Sequence, residues 1–290
     1  MPTKIEKDAV SGTMTTGHEW DGVKELNTPL PSWWVYTFYA TIAWAAVIML
    51  LYPSVPALSG YWKGLIGYSA REEVMQDMAT ARQARAATFQ RIETASLADI
   101  RRNPELFTVA LAGGKAAFGE NCAACHGAGG QGAKGGFPSL ADDTWLWGGS
   151  LSDIQQTIQY GIRNTHAESR QSAMPKFGID GVLTNAQISD VAEFVLSLSR
   201  RSTDAASATR GAAVFAENCV SCHQENGTGN RELGAPNLTT GIWLYGGDKA
   251  SIMETVRASR SGNMPAWVER LDPMTIKMLA VYVHALGGGE

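Results

Sequence analysis

The chain has 290 residues, with 24 Lys and Arg against 28 Asp and Glu and a formal net charge of −4. This length allows two or three compact domains. Because neither sign of charge forms a long run, the composition argues against a nucleic-acid-binding protein, which would carry a basic patch. Four cysteines are too few for a disulfide scaffold.

A polar tail, residues 1–30, precedes an apolar segment. Residues 33–52 carry no charged side chain, and a helix of about 20 residues spans roughly 30 Å, the thickness of a bilayer core. Trp33 and Trp34 lie at one end, where aromatic side chains favour the membrane interface. A cleaved signal peptide fits poorly, because the apolar segment starts late and is too long. We therefore predict a single membrane-spanning helix within 31–53, with the lipid bilayer as a partner.

Residues 54–107 are predicted to form a linker that is partly helical. Ser69, followed three residues later by Glu72, is typical of a helix start with a capping box. This helix is either a stalk that packs on a partner or a solvated linker, and the sequence leaves both open.

From about residue 108 the chain repeats itself. Five landmarks recur in the same order: Gly114 and Phe118 with Gly211 and Phe215, Pro138 with Pro236, "WLWGG" with "WLYGG", "MPKF" with "MPAW", and "VAEFVLSL" with "LAVYVHAL". Each copy is consistent with helices joined by loops and shows no strand-like alternation. We predict two tandem α-helical domains, 108–200 and 201–290.

Each repeat contains one Cys-x-x-Cys-His motif, formed by Cys122, Cys125 and His126 in the first and by Cys219, Cys222 and His223 in the second. On a helical turn these three side chains share a face. They can hold one flat ligand through two thioethers and an axial imidazole, which is the attachment pattern of haem c. A redox dithiol would follow a strand, and a zinc site would need four ligands. The motifs therefore predict two covalently bound haem c groups, each with an iron.

A methionine in each repeat is the candidate second axial ligand. Met174 follows His126 by 48 residues, Met264 follows His223 by 41, and each precedes a proline. Thioether sulfur favours ferrous iron and raises the reduction potential. We expect Met174 to pair with His126 and Met264 with His223; His166, in a segment of the first repeat that the second lacks, is the rival ligand there.

A proline follows each motif histidine by 12 or 13 residues. The carbonyl oxygens of Pro138 and Pro236 are expected to accept a hydrogen bond from the histidine Nδ1 and so to fix the ring. An ordinary turn proline is the alternative.

The repeats resemble class I cytochrome c domains over residues 108–290. With "ELNTPLPSWWVYTFYATIAWA" ahead of "YPSVP", the whole chain resembles the dihaem subunit of cbb3-type cytochrome c oxidase, the CcoP/FixP family. The expected fold is all-α: one N-terminal transmembrane helix followed by two tandem class I cytochrome c domains. The resemblance implies that the six motif positions and the two methionines bind haem, and that this subunit is not itself the catalytic one.

The resemblance also implies a role in respiration. Such a subunit takes electrons from a donor cytochrome c and passes them towards the monohaem cytochrome c subunit and the haem–copper catalytic subunit, where oxygen is reduced and protons are pumped. Haem is attached on the outer side of a bacterial inner membrane, so the N-terminal tail should be cytoplasmic and both haem domains periplasmic. Basic residues on both sides of the span make the positive-inside rule neutral.

Two other functions share the motifs. A free-standing, membrane-anchored dihaem carrier would have the same haem sites and no stoichiometric partner. A dihaem peroxidase would need an iron with an open coordination position, which two methionine ligands argue against.

Overall fold

The structure is a computed structural model that describes residues 4–289, so residues 1–3 of the predicted tail and residue 290 of the second predicted domain lie outside the described residues. It is mostly helical with little strand, as predicted. The chain divides into two compact units, one up to Arg82 and one from Gln83 onward.

The N-terminal unit begins with a hairpin that the sequence analysis missed. Strands β1 (Thr15–Trp20) and β2 (Val23–Leu26) pair antiparallel. Asp21 and Gly22 at the turn both have positive φ, 48° and 87°, the backbone that a two-residue hairpin turn requires and that Asp-Gly adopts readily. This dipeptide is the signal that could have identified the hairpin.

Helix α1 (Ser32–Leu51) is the predicted apolar helix, and none of its residues is buried within the chain. Its length and composition are sufficient to cross a membrane. A second short hairpin, β3 (Pro56–Ala57) and β4 (Gly60–Tyr61), follows it. Helix α2 (Ala70–Thr94) then starts at the predicted cap, where the Ser69 hydroxyl accepts a hydrogen bond from the Glu72 amide at 3.3 Å.

The second unit is helical, and side-chain caps define most of the helix starts; Ser96, Asn103, Ser150, Asp204 and Asp248 each accept a backbone N–H in the first turn, as N-cap residues do. The helices are α3 (Leu97–Arg102), α4 (Pro104–Asn121), α5 (Ala123–His126), α6 (Leu151–Tyr160), α7 (Asn185–Leu198), α8 (Ala205–Asn218), α9 (Val220–His223), α10 (Lys249–Ala258) and α11 (Pro273–His284).

The helices pack across the two repeats. The first helix of repeat one, α4, crosses the last helix of repeat two, α11, where the Phe118 ring packs at a tilt against Tyr282 with ring centroids 5.4 Å apart. The last helix of repeat one, α7, crosses the first helix of repeat two, α8, where Phe194 meets Phe215 at 4.9 Å. Both predicted domains therefore contribute to each helix crossing.

Two of the buried cores at these crossings lie beside the motif helices, and a third consists of Ile92, Ile100, Leu106, Ala110, Met278 and Val281. The first core consists of Phe118, Ile154, Ile158, Ile276, Leu279, Ala280 and Val283. The second core consists of Phe177, Leu183, Ile188, Val191, Ala192, Val195, Leu196, Phe215, Cys219, Ile252 and Val256. The second core uses only residues between 177 and 256, so along the chain it is inserted between the two parts of the first.

Candidate haem-binding sites

The two Cys-x-x-Cys-His motifs form short helices directly after α4 and α8. In the first motif the His126 amide donates to the Cys122 carbonyl at 2.9 Å, and in the second the His223 amide donates to the Cys219 carbonyl at the same distance. This single helical turn brings each histidine back over the first cysteine of its motif. None of the four cysteines forms a disulfide bond.

The proline carbonyls lie where the sequence predicted them. Nδ1 of His126 is 3.0 Å from the Pro138 oxygen, and Nδ1 of His223 is 3.1 Å from the Pro236 oxygen. Because a carbonyl oxygen only accepts, each Nδ1 carries the proton and each Nε2 keeps a free lone pair. This prediction is confirmed, and it leaves Nε2 as the ring nitrogen able to bind a metal.

Burial determines the charge of the motif side chains. It lowers the pKa of His126 and of His223, partly opposed by the hydrogen bonds to the proline carbonyls. Burial, with a smaller contribution from the second cysteine of each motif, raises the pKa of Cys122 and of Cys219 to about 11. Neutral imidazoles beside protonated thiols differ from a reactive dithiol, in which a depressed pKa creates the thiolate.

The methionines contradict the expected pairing. Met264 and Cys122 both pack against the first core, whereas Met174 packs against the second core, which contains Cys219. Each methionine therefore lies against the core that contains the other repeat's motif. The physical reason is the helix exchange: the segment after each methionine closes the core that contains the other repeat's motif.

Backbone hydrogen bonds fix this exchange. Ile162, just after α6, and Met264 exchange both N–H···O bonds, at 3.0 and 2.9 Å, and the Asn164 side-chain amide donates to the Met264 carbonyl at 2.7 Å. In the second core the Ser259 hydroxyl donates to the Met174 carbonyl at 2.6 Å. The sequence analysis missed these two anchoring side chains.

His166, the rival ligand, is engaged locally. Its Nδ1 accepts a hydrogen bond from the Glu168 amide at 3.1 Å, and its ring lies 5.1 Å from the Tyr160 ring. Among residues 4–289 no group of three or more His, Cys, Asp or Glu side chains is placed to hold a metal ion.

The residues present fit haem c. Each core supplies an imidazole with a free Nε2, two thiols on the same turn and a methionine. Buried indole N–H groups of Trp147 and Trp243 have no acceptor among the described residues. Two cores of this kind place the molecule among cytochromes c with two haem-binding domains.

Comparisons with known proteins agree. Residues 111–199 match the cytochrome c family, residues 206–283 match cbb3-type cytochrome c oxidase subunit III, and residues 12–59 match the N-terminal domain of FixP. The chain is 56% identical over 292 residues to the cbb3-type cytochrome c oxidase subunit CcoP of Azospirillum brasilense, covering 98% of this chain and 99% of that protein. It is 54% identical over 294 residues to FixP of Bradyrhizobium diazoefficiens and covers all of both chains.

The chain therefore belongs to the CcoP/FixP family of cbb3-type cytochrome c oxidase subunits. It is an electron-transfer subunit of a cytochrome c oxidase that works in a complex with other oxidase subunits. Its two cytochrome c domains imply haem c, and the apolar helix α1 fits attachment to a membrane.

Proposed function

We propose that the chain carries two covalently bound haem c groups, one attached to Cys122 and Cys125 and the other to Cys219 and Cys222. The first has His126 and Met264 as axial ligands. The second has His223 and Met174. The observation that carries this proposal is the placement of each methionine in the core that holds the other repeat's motif.

Haem c supplies reversible one-electron chemistry. With an imidazole and a thioether both available to each iron, neither iron would keep an open position for oxygen or peroxide, so the sites would suit electron transfer rather than bond chemistry. The hydrogen bonds from His126 and His223 to proline carbonyls hold the rings in one tautomer. Buried side chains around them exclude water.

In this proposal the subunit accepts electrons from a donor cytochrome c. It delivers them towards the monohaem cytochrome c subunit and the haem–copper catalytic subunit, where oxygen reduction is coupled to proton pumping. Helix α1 anchors it as a single-pass protein in a bacterial inner membrane, with the N-terminal tail cytoplasmic and the haem domains periplasmic. The names of the full-length relatives support this assignment.

The axial pairing is tested with one haem tagged. Changing Cys125 to Ala leaves one vinyl group of that haem conjugated with the porphyrin, which moves its visible band to longer wavelength. In this background Met264→His should lower the potential of the tagged haem, and Met174→His should lower that of the untagged haem. If Met174→His lowered the potential of the tagged haem and Met264→His that of the untagged haem, each methionine would instead pair with the histidine of its own repeat.

Two further measurements test the role. Pyridine haemochrome analysis should give two covalently bound porphyrins per chain. Purification through the full chain should yield a stoichiometric complex with a haem–copper subunit. A chain that purifies without a stoichiometric partner would instead be a free-standing carrier, and a five-coordinate iron with peroxide turnover would indicate a peroxidase.

A further inference from the structure

Three buried N–H donors have no hydrogen-bond acceptor among residues 4–289: Trp147 Nε1, Trp243 Nε1 and Arg170 Nε. Buried donors in native proteins are almost always paired, because an unpaired one has lost its water without compensation. Two of the three belong together, since the Arg170 guanidinium carbon lies 5.2 Å from the centre of the Trp147 ring. The two unpaired donors therefore belong to two side chains that pack against each other.

Among the described residues, the ion pair that Arg170 forms is a long one. The Arg170 side chain is 13% exposed, and the nearest carboxylate oxygen, on the 40% exposed side chain of Asp153, is 3.9 Å away. Its Nη2 donates to the neutral Gln156 side chain at 3.1 Å. Burial lowers the pKa of Arg170, and Asp153 offsets only part of that effect. A cation held this way is stabilised by an anion that reaches its free Nε.

The pair of Trp147 and Arg170 lies between the first core and the loop of the second motif, where the Trp147 indole packs against Gly234. Asp153 and Gln156 are on α6, whose Ile154 and Ile158 belong to that core, and Trp145, two residues before Trp147, packs against the same core. The haem proposed for this core carries two propionate groups, which are anionic acceptors.

Repeat two does not reproduce this arrangement. Arg260 precedes Met264 by the same four residues as Arg170 precedes Met174, but its Nε donates to Thr255 Oγ1 and its Nη2 to the Ser251 carbonyl. Tyr245 replaces Trp147 beneath it. In the second core the donor without an acceptor is the neutral indole of Trp243.

We infer that Trp147 Nε1 and Arg170 Nε hydrogen-bond a propionate of the haem attached at Cys122 and Cys125, and that among the described residues the matching unpaired donor at the other haem is the neutral indole of Trp243. This inference rests on the proposed haem attachment. A cation near one haem only disfavours its oxidised, more positive state. Arg170 therefore raises the reduction potential of the first haem more than that of the second.

The test is a spectroelectrochemical titration of the full-length holoprotein in detergent, with the first haem tagged by Cys125→Ala. Arg170→Gln should lower the one-electron reduction equilibrium constant of the tagged haem about tenfold, which is ~59 mV, and change that of the untagged haem much less. Trp147→Phe, which removes only the indole N–H donor, should lower it about threefold. Arg170→Lys should have a smaller effect than Arg170→Gln because it keeps the charge.

Arg260→Gln is the matched control, since it removes a cation whose Nε and Nη2 already have acceptors; it should leave the tagged haem unchanged. If Arg170→Gln disturbs folding, seen as loss of the near-infrared sulfur-to-iron band, then Trp147→Phe decides. An unchanged potential of the tagged haem in Trp147→Phe, with the band retained, would overturn the inference. Fewer than two bound porphyrins in the unsubstituted chain would instead overturn the proposed function.

Discussion

The close approach of α4 to α11 at Gly114 provides a direct test of the packing between the repeats. Gly114 on α4 faces α11, and a Cβ placed there would lie 2.3 Å from the Met278 carbonyl oxygen and 2.6 Å from the Tyr282 Cβ. Ordinary contacts begin near 3.4 Å, so Gly114→Ala forces the two helices about 1 Å apart. Both contacted atoms are on or next to the backbone and cannot rotate away.

The expected magnitude is a balance of two terms. Overpacking costs about 1–3 kcal/mol, and replacing glycine by alanine within a helix contributes about 0.5–1 kcal/mol in the other direction. We expect Gly114→Ala to lower the free energy of unfolding by about 1–2 kcal/mol. The matched control is Gly119→Ala on the same helix, where nothing lies within 4 Å of the added Cβ, and which should be stabilising.

The assay is guanidinium unfolding of the full-length holoprotein in detergent, followed by circular dichroism and by the near-infrared sulfur-to-iron band. Gly114→Ala should unfold at lower denaturant than the parent and Gly119→Ala at higher. Gly211→Ala makes the same test in the second core, where the Cβ would lie 2.0 Å from the Asp190 carbonyl oxygen. Equal stability of Gly114→Ala and Gly119→Ala would refute the close crossing of α4 and α11.

Three further predictions concern a buried ion pair, the hydrogen bonds to the two methionine carbonyls and the apolar helix α1. Glu193 is buried and pairs with Lys249 at 3.0 Å. Hydrogen bonds, first from Ser202 and then from Lys249, lower the pKa of Glu193. The contribution of ionised Glu193 to the stability of the fold is therefore present above its unfolded-state pKa and is lost as pH falls through its folded-state pKa. Glu193→Gln should lower the free energy of unfolding by about 1.5–3 kcal/mol at neutral pH and should make that free energy fall less in acid, as measured by denaturant titration at several pH values. The control is Glu254→Gln, in an exposed ion pair, which should lower the free energy of unfolding by under about 1 kcal/mol. Equal losses in the two variants would contradict the prediction. Ser259→Ala and Asn164→Ala remove hydrogen bonds to the carbonyls of Met174 and Met264, respectively. Each variant should lower the free energy of unfolding by about 1 kcal/mol and weaken the sulfur-to-iron band of one haem. An unchanged band in both variants would show that these hydrogen bonds do not position the ligands. The double variant Ala43→Arg with Val47→Arg places two charges in α1, each of which should disfavour membrane insertion by about 2.5–3.5 kcal/mol. Carbonate extraction should therefore release this variant from membranes, whereas a variant with leucine at both positions should stay bound. Retention of the arginine variant would argue against a membrane-spanning helix.

The sequence predicted those features that depend on local chemistry. The apolar segment became α1, and Ser69 caps α2 as expected. His126 and His223 reach the proline carbonyls because only 12 or 13 residues separate each histidine from its proline.

The methionine pairing was not predictable from spacing. Both repeats carry the same glycine and aromatic pattern on the first helix and a similar last helix, so α4 can in principle pack against α7 or α11. What decides between them is the fit of particular side chains across the crossing, such as Phe118 with Tyr282. Arg170 and Arg260 did carry a readable signal, since each precedes a methionine by four residues in its repeat.

The exchange of elements between repeats has a consequence for electron transfer. Two separate domains joined by one linker would move relative to each other, because small interfaces between domains permit motion. Here the chain crosses between the cores at 162–174 and again at 258–264, and hydrogen bonds join the crossings: Gly178 and Ile179 both donate to the Arg257 carbonyl, and the Arg163 Nε donates to the Gly262 carbonyl. Separating the cores would require breaking these bonds and withdrawing both methionine segments. The interleaved chain therefore holds the two proposed haem sites at a fixed separation.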